Sequence, residues 1–155
     1  MTVRHLAPGD RDVEAFLARR GMVRIARRGQ LLDAGDHPSL ALGDPPHAVL
    51  TYVAGDTSWE VLALYADVHR RRGDGTALVE AVAEMARAAG ARALRVTTTN
   101  DNVDALRFYQ RRGFALAELR AGAVDRSREQ LKPEIPRVGE YGIPLRDEVE
   151  LERRL

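Results

Sequence analysis

A glycine turn flanked by arginines contains the residue types that bind phosphate. Arg70, Arg71 and Arg72 precede the run Gly73-Asp74-Gly75-Thr76, and an apolar stretch ending near Tyr65 comes before them. Glycine lets a ligand approach the backbone closely, and the first amides of a following helix have no acceptor within that helix. With the helix dipole and the guanidinium groups, these amides can hold an anion. The turn therefore indicates an anion site, although its spacing also allows a plain strand-to-helix turn.

Two common phosphate-binding loops fit this turn poorly. A Walker loop needs Gly-Lys-Ser or Gly-Lys-Thr after the turn, and that run is missing. A dinucleotide fingerprint needs a third glycine where Leu78 stands, and it needs parallel strands upstream. The short connections upstream predict antiparallel strands instead. The sequence therefore gives little support to either a Walker loop or a dinucleotide-binding loop.

A second block of spaced residues follows the next predicted strand. It consists of Asn102, Ala105, Tyr109, Gly113 and Phe114. In this order and at this separation, the block and the preceding Arg70-x-x-Gly73-x-Gly75 resemble the two motifs of the GNAT superfamily of N-acetyltransferases. The resemblance covers residues 3–120 in architecture, and the sharp motifs lie within residues 60–114.

The resemblance implies that the chain binds acetyl-CoA. The amides of residues 71–76 would hold the diphosphate, and the strand ending near Leu64 and Tyr65 would pair with the pantetheine arm as with an added strand. The arm would enter a wedge between that strand and strand 93–98. The implied cofactor residues are Leu64, Tyr65, Ala66, Arg70, Arg71, Arg72, Gly73, Asp74, Gly75, Thr76, Asn102 and Tyr109. Because the family usually has an apolar residue at position 74, we expect the Asp74 carboxylate to face solvent or to pair with an adjacent arginine.

Tyr109 and Glu60 are the candidate catalytic residues. The resemblance implies that Tyr109 protonates the departing thiolate, and the alternative is a core tyrosine beside the neighbouring phenylalanines. Asn102 can contact the cofactor or simply cap a helix. Glu60 can take a proton from the amine; strict alternation would place it on one face with Leu62 and Leu64. The alternative is an exposed strand glutamate, and the weaker candidate bases are Asp33 and Asp67.

These assignments predict N-acetylation of a primary amine on a small molecule or peptide. The chain has no cysteine, which favours direct attack in a ternary complex over an acylated thiol. The alternative function is a non-catalytic acyl-CoA sensor of the same fold. Residues 121–146 are too long for an idle hairpin loop; we expect them to form a wall of the acceptor site, with a surface flap or a homodimer contact as the alternatives.

The elements that must position these residues follow from periodicity and turn signals. We expect strands near 2–6, 23–26, 39–42, 47–53, 59–67, 93–98, 114–120 and 148–155, and helices near 11–20, 75–89 and 102–112. Asp10 can cap the first helix, and a right-handed crossover would make strand 93–98 parallel to strand 59–67. Residues 29–38 are predicted to be irregular, and residues 121–146 to be a long connection broken by prolines and glycines. The expected fold class is α+β, an α/β mixed sheet of the GNAT type, mostly antiparallel and splayed at its centre, with flanking helices.

Composition and residue spacing argue against a nucleic-acid partner, a membrane partner and a metal site. The chain has 155 residues, a net charge of +1 and 5% aromatic residues, which argues against a nucleic-acid partner. It contains no apolar run approaching the roughly 20 residues needed to cross a bilayer, and no metal-ligand spacing involves His47 or His69. We therefore expect a single cytoplasmic domain over residues 1–155, with neither a membrane partner nor a bound metal.

Overall fold

The computed structural model of the protein describes residues 2–67 and 73–155. In chain order the elements are β1 (Arg4–Leu6), α1 (Arg11–Ala18), β2 (Arg24–Arg27), β3 (Gln30–Asp33), β4 (Ser39–Leu42), β5 (Ala48–Val53), β6 (Ser58–Ala66), α2 (Asp74–Ala88), β7 (Ala93–Thr99), α3 (Val103–Gln110), β8 (Ala115–Arg120), α4 (Ala123–Gln130) and β9 (Glu148–Arg154). The chain divides into two compact units, one comprising Met1–Ile25, Asp33–Leu94 and Leu155, and the other comprising Ala26–Leu32 and Arg95–Arg154.

The first unit contains an antiparallel meander. Its strands lie in the order β1-β4-β5-β6, and each neighbouring pair is antiparallel. Helix α2 packs against β4, β5 and β6 and buries an apolar stripe that includes Leu78, Val79 and Val82. The glycine turn before α2 is therefore attached to a well-packed sheet.

Helix α1 belongs to the same unit and begins at the predicted cap. The Asp10 carboxylate accepts hydrogen bonds from the backbone amides of Asp12 (3.0 Å) and Val13 (3.1 Å), which satisfies two of the amides that a helix leaves unpaired. Val13, Phe16 and Leu17 share the buried face, as their spacing predicts.

The second unit contains strands in the order β7-β9-β8. β8 and β9 are antiparallel, and α3 contacts β8. The side chain of Asn102 caps α3 by accepting a hydrogen bond from the Ala105 amide at 3.2 Å, so the capping role foreseen for this residue is confirmed.

The predicted fold class is confirmed: the protein is a mixed α/β fold with a mostly antiparallel sheet and flanking helices. Two details differ from the prediction. Residues 29–38 are not wholly irregular, because β3 pairs with β2 across the two-residue turn Arg28-Gly29. Helix α4, within residues 121–146, was not predicted. The parallel pairing of β6 with β7 and the splay between them stay predictions.

Candidate functional site

Gly73 gives the glycine turn an open, uncapped helix end. Its φ of 95° lies in the left-handed region that favours glycine, and a Cβ placed on it would have no atom within 4 Å. No side chain of the described residues caps α2 at this end, so the positive end of the helix dipole meets the turn without a capping side chain. The turn therefore leaves room for an anion at the start of α2. Arg70, Arg71 and Arg72 lie outside the described residues, and their role stays a prediction.

Asp74 differs from expectation, because its carboxylate points into the protein. The residue is 4% exposed, and its Oδ2 lies 3.2 Å from Nε2 of His47. The distance is that of an ion pair, although the two groups are not oriented as a hydrogen bond. The expectation that Asp74 faces solvent is wrong, since burial against His47 keeps this negative charge off the exposed surface of the turn.

The position of His47 explains how Asp74 can turn inward. The imidazole lies against Gly43, where any Cβ would collide with the ring and where φ is +87°. The backbone amide of His47 donates to the Leu42 carbonyl (2.9 Å), and its carbonyl accepts from the Asp67 amide (2.8 Å). The pairing of Asp74 with His47 was not predicted, because the two residues lie far apart in the sequence. The one sequence feature that bears on it is the histidine that follows the turn Gly43-Asp44-Pro45-Pro46.

The end of β6 presents its last three residues half-buried. Leu64, Tyr65 and Ala66 pair with Leu50, Val49 and Ala48 of β5. Burial raises the pKa of the Tyr65 phenol to about 12, and Arg20 nearby offsets part of that rise. The phenol therefore stays neutral at physiological pH, so Tyr65 presents a neutral surface at the end of this strand.

A β-bulge in β6 changes the face on which Glu60 lies. Thr51 pairs with Ala63, but the next residue, Tyr52, pairs with Val61, so Leu62 is the extra residue. Because directly opposed residues share a face of a sheet, Glu60 lies on the face of Ala63, opposite to Leu64. The expectation that Glu60 shares a face with Leu64 is therefore wrong. A single inserted residue reverses the alternation on which that expectation depended.

Tyr109 lies on α3 within an aromatic cluster. It is 5% exposed, and its ring meets those of Phe108 and Phe114 edge to face, with centroids 5.1 and 5.2 Å apart. Such pairs stabilise a core beyond simple burial. The packing role of Tyr109 is clear, whereas its role as a general acid stays a prediction.

The two weaker candidate bases, Asp33 and Asp67, lie at a helical cap and in a surface groove. Asp33 caps a short 3-10 turn by accepting a hydrogen bond from the Gly35 amide at 2.8 Å. Asp67 lines a groove of about 520 Å³ together with His47, Arg19 and Arg20.

His69 lies outside the described residues. Over residues 2–67 and 73–155, no cluster of histidine and carboxylate side chains could hold a metal ion, and no helix is long and apolar enough to cross a membrane.

A buried ionic cluster in the second unit escaped sequence reasoning. Arg120 donates from Nε to Glu148 (2.9 Å), from Nη1 to Glu150 (3.1 Å) and from Nη2 to Thr97 (3.0 Å). Burial lowers the pKa of Arg120, but the hydrogen bonds and charges of Glu148 and Glu150 outweigh this effect, and the net shift is upward. The alternating charges of β9 predict a polar strand, but they do not predict that its glutamates pair with Arg120.

In the predicted acceptor wall, residues 121–146, the side chain of Arg128 donates hydrogen bonds to three backbone carbonyls. Arg128 is 8% exposed and donates to the carbonyls of Ile135 (2.9 Å), Pro136 (2.8 Å) and Leu145 (2.7 Å). These charge-assisted bonds hold the proline-rich stretch against α4. The segment is therefore an ordered structure, while its contact with an acceptor stays a prediction.

Comparisons with known proteins agree with this architecture. Residues 21–114 match the model of the acetyltransferase (GNAT) family. The chain is 42% identical to the uncharacterized protein YdhI of Bacillus subtilis over 100 residues, which are 64% of this chain and 61% of that protein. The chain thus spans about three fifths of the length of this curated relative.

Solved structures show the same fold at low sequence identity. An IAA acetyltransferase from Bacillus cereus superposes with a TM-score of 0.73 at 19% identity, with 99% of each chain covered. A GNAT family acetyltransferase from Elizabethkingia anophelis, solved with acetyl-CoA bound, superposes with a TM-score of 0.67 at 15% identity, covering 99% of this chain and 97% of the other. The family match, together with the meander and the glycine turn that opens α2, means that this chain belongs to the GNAT acetyltransferase family.

Proposed function

We propose that the protein is an acetyl-CoA-dependent N-acetyltransferase acting on a primary amine of a small molecule or peptide. The observation that carries the proposal is the start of α2 after Gly73, which no side chain within residues 2–67 or 73–155 caps and which lies within the stretch that matches the family model. Open space at Gly73 and the positive end of the helix dipole suit the two negative charges of a diphosphate. The inward-turned Asp74 supports the same fit, because it removes a repelling carboxylate from that surface.

The residues present suggest a division of tasks. When bound, acetyl-CoA would supply the acetyl group as a reactive thioester. The amides of residues 73–76 would hold its diphosphate, and the backbone of Leu64, Tyr65 and Ala66 would orient the pantetheine arm. Tyr109 would hold a proton at its phenol oxygen for the leaving thiolate, and Glu60 would accept the proton of the amine. Because the chain has no cysteine, we propose direct transfer to the amine, with both substrates bound.

A thiol-release assay tests the activity. The purified protein is incubated with acetyl-CoA and a panel of primary amines that includes amino acids, amino-acid amides, polyamines, aminoglycosides and peptides. We expect free CoA to appear only when a suitable amine is present, and the acetylated amine to appear in equal amount by mass spectrometry. If acetyl-CoA binds but no amine on the panel is acetylated, the result would favour the non-catalytic sensor.

A further inference from the structure

A cavity in the second unit has the size of a small-molecule site. It encloses about 330 Å³ between the β2–β3 turn, the end of β8, the start of β9 and helix α4. Ligand pockets in proteins begin at about 300 Å³. The side chains that matter in its lining are Arg28, Arg120, Arg126, Ser127, Glu118 and Glu148. All except Arg28 lie beyond residue 114, where the match to the family model ends.

The acidic groups of the cavity already have partners. Glu148 is 2% exposed; it accepts from Arg120 at 2.9 Å and from the backbone amide of Arg28 at 3.2 and 3.3 Å. Glu118 lies at the exposed rim and accepts from Arg120 at 3.2 Å. The carboxylates thus neutralise Arg120, and they are poorly placed to bind a cationic ligand.

Two arginines of the lining retain positive charge for a ligand. Among the described residues Arg126 has no ion pair, and its Nη1 donates only to the Ala121 carbonyl, at 3.2 Å. The Arg28 guanidinium is half exposed, and its ion-pair partner, Glu150, is 3.9 Å away. Guanidinium groups bind carboxylates with two parallel hydrogen bonds, so this side of the cavity favours an anion.

Ser127 adds a hydroxyl to the lining of the cavity. The residue is 4% exposed and lies at the cavity wall. A serine hydroxyl can donate one hydrogen bond, and a carboxylate oxygen of a ligand in the cavity could accept it.

The backbone of Arg28 is held in an unusual conformation beside the same cavity. Arg28 and Gly29 form the two-residue turn between β2 and β3, with φ of 53° and 75°. Such turns favour asparagine and glycine, because both positions need positive φ. The bond from the Arg28 amide to Glu148 fixes this conformation and places a cationic side chain at the cavity. Strain of this kind is commonly found at functional sites.

We infer that this cavity binds a carboxylate group of the acceptor amine, held by Arg28, Arg126 and the hydroxyl of Ser127. The inference rests on the proposed acetyltransferase function and narrows its substrates to amines that carry a carboxylate. A phosphate of acetyl-CoA has similar chemistry, so the experiment must separate the two sources of negative charge.

Matched acceptors and matched variants provide the test. Thiol release is measured with amino acids and with the corresponding amino-acid amides, for the wild type, Arg126→Gln and Arg154→Gln. Arg154 is an exposed arginine of the same unit that lies outside residues 121–146 and does not line the cavity. We expect the acids to exceed the amides at least tenfold in kcat/KM. Arg126→Gln should remove most of that preference by raising KM for the acids, with KM for acetyl-CoA unchanged, and Arg154→Gln should behave like the wild type.

Three results would overturn the inference. If amides and acids react equally well, the inference is wrong while the proposed function stands. If Arg126→Gln raises KM for acetyl-CoA and leaves the acid preference intact, the cavity binds a phosphate of the cofactor instead. If no amine yields thiol, both the inference and the proposed function fail. Ser127→Ala provides a second, milder variant, for which we expect a smaller loss of acid preference.

Discussion

At the scale of single residues, the inward orientation of Asp74 at the glycine turn depends on a contact with a residue far away in the sequence. The pairing of Asp74 with His47 depends on two loops folding together, and no local pattern predicts it. By contrast, the caps formed by Asp10 and Asn102 were predictable, because a cap needs only its own helix. The same holds for Gly73, whose conformation is set by the turn that contains it.

Tyr109 allows the packing and catalytic roles to be separated. Tyr109→Phe keeps the aromatic contacts to Phe108 and Phe114 and removes only the phenol hydroxyl. If that hydroxyl protonates the thiolate, kcat should fall by about 10²–10⁴-fold, while acetyl-CoA affinity stays close to that of the wild type. Steady-state thiol release and calorimetric titration with acetyl-CoA measure the two effects.

The matched control for this substitution is Tyr52→Phe. Tyr52 is also buried in an aromatic pair, stacked on Trp59 with ring centroids 5.3 Å apart, and it is not a candidate site residue, so we expect an unchanged kcat. If Tyr109→Phe is as active as this control, Tyr109 is a packing residue and another group must supply the proton.

At the scale of elements, long periodic segments were predictable and short polar ones were not. The meander and α2 were predicted because their apolar residues repeat with the period of a strand or a helix. α4 was missed because its sequence, Ala123–Gln130, is mostly polar and is followed by several prolines. The β6 bulge was missed as well, since an extra residue leaves no mark in composition.

The Arg120 cluster joins β8, β9 and the β2–β3 turn, and its loss should be costly. Arg120→Met leaves Glu148 and Glu150 buried without their main cation. Removing one partner of a buried ion pair typically costs about 3–5 kcal/mol, so the free energy of unfolding should fall by about this amount in urea denaturation.

An exposed arginine provides the comparison for this prediction. Arg107 pairs with Asp104 at the surface, and such pairs contribute about 0–1 kcal/mol. Arg107→Met should therefore change the unfolding free energy little. Equal losses in the two variants would show that the buried cluster does not stabilise these elements as described.

At the scale of the whole molecule, the family was predictable because its two motifs lie close together in the sequence. The match to the family model over residues 21–114 contains both motifs, so their residue types and spacing are enough to recognise the resemblance. The substrate is not predictable in the same way. Most of the cavity lining lies beyond residue 114, in a stretch where the sequence offers few periodic patterns.

Binding of acetyl-CoA at the start of α2 is the central claim, and two glycines allow a direct test. Gly73 and Gly90 have similar positive φ values, +95° and +88°, and a Cβ on either would meet no atom within 4 Å. Replacement by alanine should therefore strain the backbone to a similar extent at both sites. Only a Cβ at position 73 would stand between the α2 amides and a diphosphate.

Isothermal titration calorimetry with acetyl-CoA measures the difference between these variants. We expect the wild type and Gly90→Ala to bind with equal affinity and Gly73→Ala to bind at least tenfold more weakly, a loss of about 1.4 kcal/mol. Equal affinities for Gly73→Ala and Gly90→Ala, or a wild type that shows no binding of acetyl-CoA, would contradict the account.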